Sequence, residues 1–159
     1  MNEYDLVYMA GFFDGEGHIC IGRGRRLCRG HYYLCYQLEA GIAQSGKKGK
    51  LICEWFKSIF NGYIKQNGQI RNKYSWNWKV SSNQALLFLK QIYPYLKIKK
   101  EQANLALEFQ EKRYKYEKKK KNWFSEFDQI ERFSYFETVK REIQFLNGRI
   151  FKEVSWMTS

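Results

Sequence analysis

The sequence predicts an α+β fold in which two β-hairpins join into one sheet and helices cover a single face of it. Three observations carry this. Apolar and polar residues alternate from Tyr33 to Ile42 and again from Tyr74 to Val80, the pattern of half-buried strands. Around these runs, apolar residues recur every three to four positions, as amphipathic helices require. Pro94 is the only proline and no Gly/Ser-rich linker interrupts the 159 residues, so the chain reads as one domain. Its core is expected over about 4–110, with a helical extension over about 111–159.

The first helix is expected from about Asn2 to Asp14, with Asn2 and Asp5 at capping-box spacing. Gly17 to Arg26 shifts to period two, Ile19 and Ile21 facing one way and His18, Cys20 and Gly22 the other. Glycines at 22 and 24 permit a bulge there, which leaves the parity of the arginines open. A polar turn around Arg29-Gly30-His31 leads into a second strand. There Leu34, Tyr36, Leu38, Ala40 and Ile42 alternate with Tyr33, Cys35, Gln37, Glu39 and Gly41. Lys50 to Phe60 is helical through Ile52, Trp55, Phe56 and Ile59, and Asn61-Gly62 supplies the C-cap.

Asn67-Gly68 is expected to turn a second hairpin between Tyr63-Ile64-Lys65-Gln66 and the alternating run ending at Val80. Ser82 or Asn83 caps a helix through Tyr93, which Pro94 ends. Glu101 to about Tyr116 reads as a further helix, fraying into Lys119-Lys120-Lys121. Ile130, Phe133, Phe136, Val139, Ile143 and Leu146 form an apolar stripe suited to core or interface packing, closed by Asn147-Gly148. The core order is therefore α-β-β-α-β-β-α.

A formal net charge of +12 points to a polyanionic partner. A composition 44% hydrophobic and 18% aromatic excludes a disordered basic tail. No apolar run reaches the roughly 18 residues that span a bilayer, so no membrane partner is expected. No basic segment precedes the first apolar run, which argues against a secretory signal, and four cysteines fit a reduced, intracellular setting. The basic residues are interleaved with Tyr, Trp, Asn and Gln over hairpins and helices, as in a groove-reading protein. Charge alone fits a solvated surface as well. His18-x-Cys20 with Cys28-x-x-His31 matches the spacing of no standard zinc module.

The chemistry concentrates at the end of the first helix. There Asp14-Gly15-Glu16-Gly17 delivers a carboxylate beside backbone carbonyls that have no helical partner, where the dipole adds roughly half a negative charge. Oxygen ligands of this kind suit hard divalent cations such as Mg²⁺. Gly11 and Gly15 lie four apart on one face, flanked by Ala10 and Asp14, and small residues so spaced let two helices approach closely. One copy of the segment per chain predicts a homodimer about a two-fold axis, with two Glu16 carboxylates brought together. Read by itself, the run fits a solvated helix C-cap equally well.

Tyr8-Met9-Ala10-Gly11-Phe12-Phe13-Asp14-Gly15-Glu16-Gly17 resembles the signature segment of the LAGLIDADG homing endonucleases, and the element order is that family's order. Pro94-Tyr95-Leu96-Lys97-Ile98-Lys99-Lys100-Glu101-Gln102-Ala103-Asn104-Leu105 resembles the stretch that carries the active-site lysine in single-motif members. The resemblance implies a saddle-shaped DNA-binding sheet and a homodimer. It further implies a double-strand break in a long, pseudo-palindromic DNA target, promoting intron mobility. Glu16 corresponds to the metal-binding acid, Gly15 to the neighbour whose carbonyl assists, Gln44 to a polar residue orienting water at the scissile phosphate. Lys99 corresponds to the lysine polarising that water and Lys48 to a supporting basic residue. Glu16 stands where the commoner residue is Asp, one methylene shorter. Mg²⁺ is the implied cofactor, with Mn²⁺ as a substitute and Ca²⁺ supporting binding without cleavage. An organelle intron, in chloroplast or mitochondrion, is the implied setting.

A β-ribbon fits the major groove of duplex DNA, and its outward residues reach base edges. Alternation assigns Arg26, Tyr33, Cys35, Gln37, Glu39, Gly41, Lys65, Asn67, Lys73, Ser75 and Asn77 to that face. Arg23, Arg25, Arg29, Lys47 and Lys50 are expected at phosphates. Neither His18 nor His31 lies beside an obvious nucleophile, so hydrolysis without a covalent intermediate is expected. The competing reading keeps the scaffold and changes its role to that of a maturase bound to intron RNA, or of a DNA-binding protein that does not cut.

Overall fold

The structure, a computed structural model, describes residues 2–28, 30–70, 73–119 and 126–148. In chain order the elements are α1 (Glu3–Glu16), β1 (Gly17–Cys28), β2 (His31–Ser45), α2 (Gly46–Phe60), β3 (Tyr63–Ile70), β4 (Lys73–Ser81) and α3 (Ser82–Ile92). A 3-10 turn (Tyr93–Tyr95), α4 (Lys100–Lys119) and α5 (Glu126–Leu146) complete them. The α+β class and the α-β-β-α-β-β-α order read from the sequence are those of the chain.

α1 starts as its sequence dictates. The Asn2 side chain accepts from the Asp5 N–H, and the Asp5 carboxylate accepts from the Asn2 N–H, closing the capping box. At its other end the helix passes into β1 with no loop. Gly17 makes this possible, because a Cβ there would lie 2.3 Å from the Phe13 ring. The α1 carboxyl terminus is thereby fixed to the end of a sheet strand.

The sheet has the order β1-β2-β4-β3, antiparallel throughout. Its helix-covered face carries Ile19, Ile21, Tyr36, Leu38, Ala40, Ile42, Trp78 and Val80, all buried. Against them pack Met9 and Phe13 of α1, Cys53 and Phe56 of α2, Phe88 of α3, Phe109 of α4 and Phe136 of α5. Phe88 sits at the centre, with edge-on contacts to Phe13, Phe60 and Trp78 at ring-centroid separations of 4.9–5.1 Å. Aromatic pairing thus fixes α3 over the sheet.

Four local expectations are corrected. Asn67-Gly68 does not turn the second hairpin: β3 runs on to Ile70, and the pair instead marks a register shift opposite Ser75 and Tyr74. Helix α3 begins at Ser82 directly from β4, with Ser81 as N-cap and no side-chain cap bond, so neither Ser82 nor Asn83 caps it. Helix α2 begins at Gly46, four residues before the expected Lys50, because Gly46 at φ +74° makes the bend out of β2. The α5 stripe holds at Phe136, Val139 and Ile143, which join the core, while Ile130 is exposed. The C-cap at Asn61-Gly62 stands as read, both residues at positive φ.

Candidate active site and nucleic-acid interface

The α1 terminus presents Gly15 and Glu16 to solvent. Asp14, two residues before Glu16, turns inward and is buried. One of its oxygens accepts from the Lys97 N–H at 2.7 Å and the other from the Lys99 N–H at 2.9 Å. These bonds hold the segment leading into α4 beneath the helix end. The Lys99 ammonium then donates to the Asp14 backbone carbonyl. The carbonyl rim of α1 therefore already draws a cation, and the Lys99 ammonium is anchored only two residues of chain from Glu16.

Gln44 stands at the matching end of β2. Gly17 pairs with Ile42, so Gln44 lies just past the last β1–β2 pair, at the end of the ladder where Glu16 emerges. Gly49 of α2 packs directly on Gln44, leaving no room for a Cβ. Lys47 and Lys48 are exposed on the first turn of α2. Lys50 lies over the Trp76 ring and pairs with Glu54 at 3.5 Å.

The open face of the sheet is polar. Cross-strand register puts Arg26 opposite Tyr33, Gly24 opposite Cys35, Gly22 opposite Gln37 and Cys20 opposite Glu39. On the second hairpin Lys65 faces Asn77 and Asn67 faces Ser75. On this face Arg26, Cys35, Gln37 and Lys65 are exposed, whereas Asn67, Ser75 and Asn77 are half-buried; Arg25, opposite Leu34, is exposed on the other face. Arg29 and the side chains of Tyr33 and Lys73 lie outside the described residues. Arg23 occupies the other face, where it meets Glu137 of α5 at 2.9 Å.

Two residues that alternation could have supplied belong to this face as well. His18 and Lys79 flank Gly41 from β1 and β4, close enough that a Cβ on Gly41 would lie 3.0 Å from both side chains. Lys79 also pairs with Glu39 at 3.5 Å. Burial, then the charge of Lys79, pushes the His18 imidazole below its usual pKa, so it is neutral at pH 7. His18, Asn77, Lys79, Lys99, Gly17 and Asn147 line one cleft of about 670 Å³ beside the α1 terminus. The parity that selected Ser75 and Asn77 also selects Lys79. His18 was visible on the polar side of β1, but no chemical motif singled it out.

The dimer-face expectation needs correction at two positions. Ala10 is fully buried and Asp14 nearly so, both inside their own chain. The exposed residues of α1 are Glu3, Tyr4, Val7, Tyr8, Gly11, Gly15 and Glu16. At both glycines an added Cβ would meet nothing within 4 Å, so no contact inside the described chain requires their smallness.

Among the described residues no three of His, Cys, Asp and Glu cluster as a metal site. The donor set at the α1 terminus, one free carboxylate and adjacent carbonyls, is of the right hard-oxygen type for a divalent cation but supplies only part of a coordination shell. Second-chain and substrate oxygens would have to complete it. No described helix is long and apolar enough to cross a membrane.

A helix ending in a free acid, a lysine pinned to that end and a four-stranded polar sheet beside it define the class. The chain belongs to the LAGLIDADG endonuclease family, whose model matches residues 9–130. The DNA endonuclease I-CreI of Chlamydomonas reinhardtii is 30% identical over 108 residues, covering 67% of this chain and 62% of that relative. The matched region thus spans 62% of the relative's length. The archaeal intron-encoded homing endonuclease I-Vdi141I, solved in complex with DNA, superposes with a TM-score of 0.67 at 16% identity, over 96% of this chain and 90% of that one. I-CvuI, solved with the I-CreI target in 2 mM Mg with the DNA not cleaved, gives 0.65 at 15% identity, over 98% and 87%. At such identities these two likenesses are of fold.

Proposed function

We infer that the chain acts as a homodimeric, divalent-metal-dependent DNA endonuclease that cuts both strands of a long, near-symmetric site by hydrolysis. What supports this reading is the bonding of Lys99 to Asp14 at the end of α1 that carries Glu16, with Gln44 just past the adjoining end of the β1–β2 ladder and an open polar sheet beside them.

Glu16 and the carbonyls at Gly15 would hold the cation, Mg²⁺ by donor chemistry, with Mn²⁺ as a substitute. When bound, it neutralises charge at the cleaved phosphate. Gln44 contributes an amide able to orient the attacking water by hydrogen bonds. The Lys99 ammonium, held in place through Asp14, stabilises negative charge on the phosphoryl oxygens as water adds to phosphorus and the sugar oxygen leaves. Lys48 adds positive charge nearby. Gly11 and Gly15, facing Gly11 and Gly15 of a second copy, would allow the two helix ends to meet so that each strand has its own reacting centre. Arg26, Cys35, Gln37, Glu39, Lys65, Asn67, Ser75 and Asn77 supply base-edge contacts, and Arg25 and Lys47 phosphate contacts.

The test is cleavage of the duplex formed by joining the DNA that flanks the reading frame. With Mg²⁺ the duplex is expected to be cut on both strands. With Ca²⁺ it is expected to be bound and left intact. Glu16→Gln should lower cleavage by on the order of 10²-fold or more while binding in Ca²⁺ persists. Binding without cutting in every cation, or preference for the intron transcript over the duplex, would overturn the nuclease.

A further inference from the structure

The C-terminal helix α5 has no part in the chemistry above, yet its Glu137 carboxylate takes three hydrogen bonds, two of them from the sheet. One oxygen of Glu137 accepts from the Arg23 guanidinium at 2.9 Å and from the Tyr36 hydroxyl at 2.7 Å. The other accepts from Lys140, one helical turn along, at 3.1 Å. Arg23 and Tyr36 are cross-strand partners on the helix-covered face of the β1–β2 ribbon. Around this contact the Tyr36 ring packs against Phe133 and Phe136, at centroid distances of 6.1 and 5.4 Å.

Its place along the ribbon gives it consequence. Arg23 lies six residues beyond Gly17, where β1 leaves the active-site end, a distance of about 20 Å at the rise of an extended strand. Past it the ribbon continues through Arg25↔Leu34 and Leu27↔Tyr32 to Cys28↔His31. Leu27, Tyr32 and Leu34 on the same face are exposed, so the Arg23–Tyr36 pair is the last point at which a described helix supports the ribbon. Arg23 is also bracketed by Gly22 and Gly24. A Cβ at either would make only ordinary contacts, at 3.5 Å or more, so packing does not demand glycine. Two glycines inside a strand leave it pliable where the support ends.

We propose that Glu137 is a positioning residue for target recognition: by clasping Arg23 and Tyr36 from beneath, it fixes the angle at which the distal half of the β1–β2 ribbon enters the DNA groove. This rests on the DNA-reading function proposed above and assigns α5 to its specificity. Glu137 touches no base. It acts through the ribbon, whose groove face beyond the clasp carries Cys35 and Arg26. At about 3.4 Å per base pair, the positions it governs begin roughly six pairs from the centre of the site.

The test is selection from a duplex pool with a randomised tract, using full-length wild type, Glu137→Gln and Tyr36→Phe in Ca²⁺. Retained ring packing should keep both variants folded, which a thermal melt verifies. Wild type is expected to retrieve a near-symmetric consensus. Both variants should retrieve the same central pairs with preference lost only in the outer ones, and bind the wild-type consensus roughly tenfold more weakly, comparable to one mismatched pair. The cleavage rate of fully bound duplex in Mg²⁺ should be unchanged. Variant profiles identical to wild type, or preference lost evenly across the site, would overturn the positioning role and leave the nuclease standing. No consensus from wild type itself would overturn both.

Discussion

Asp14 shows how much one side chain decides. It belongs to the acid-Gly-acid signature, yet its carboxylate is spent on two backbone N–H groups of the Lys97–Lys99 segment, and only Glu16 is left for a cation. Asp14→Asn offers one acceptor oxygen where two are used, so one N–H loses its partner at a cost of roughly 1–3 kcal/mol. Because that N–H belongs to the segment that carries Lys99, cleavage at saturating Mg²⁺ should fall along with the urea midpoint. Cleavage unchanged in a destabilised variant would show that Lys99 needs no such tether. Sequence spacing could not tell the two acids apart. α1 is apolar on nearly every side, so no polar stripe marks its outward face, and a plain three-or-four spacing placed Ala10 and Asp14 outside when both are buried.

Among elements, β2 and the start of α1 are the most legible in the sequence. The alternation from Leu34 to Ile42 matches the buried face residue for residue except near the ribbon's end, and the Asn2/Asp5 box closes as its spacing required. The second hairpin is harder to read because Asn67-Gly68 between two strand runs is a strong local hairpin signal, and cross-strand pairing overrides it into a bulge. Glycines at 22 and 24 leave no apolar alternation to set the parity of Arg23, which turns to Glu137 rather than to a phosphate. α5 depends on packing at Phe136, whose ring meets Phe109, Tyr116 and Tyr36. Phe136→Ala should cost about 3–5 kcal/mol in urea denaturation. The same helix predicts a pH effect. Burial alone would raise the Glu137 carboxyl, but the bonds from Tyr36, Lys140 and Arg23 outweigh it and hold the group below its ordinary value of 4.5. A depressed carboxylate stabilises the fold above its unfolded value and loses that contribution as pH falls through the folded one. The gap in Tm between wild type and Glu137→Gln should therefore be full near neutrality and narrow as pH falls below the ordinary carboxyl value of 4.5 and on through the depressed folded one.

At the scale of the whole molecule, charge and symmetry make separate predictions. A duplex held by about six phosphate contacts per complex should bind roughly 10³-fold more weakly at 200 mM than at 50 mM salt, and a flat response would remove the phosphate contacts. The dimer is tested by Gly11→Ala. Within one chain the new methyl meets nothing, so the isolated protomer should gain about 0.5–1 kcal/mol of helix stability. Across a glycine-lined seam the same methyl pushes two backbones apart, and sedimentation should show weaker self-association. A variant both more stable and equally dimeric would place the partner elsewhere.

The bare strip at Gly11 and Gly15 also has a bearing on the host. A lone protomer brings a single free acid to the substrate, so on the proposed assembly it is harmless until it meets its twin. Below the concentration at which twins form, scission grows with the square of dosage, and a cell holding few copies is shielded from stray breaks by arithmetic alone.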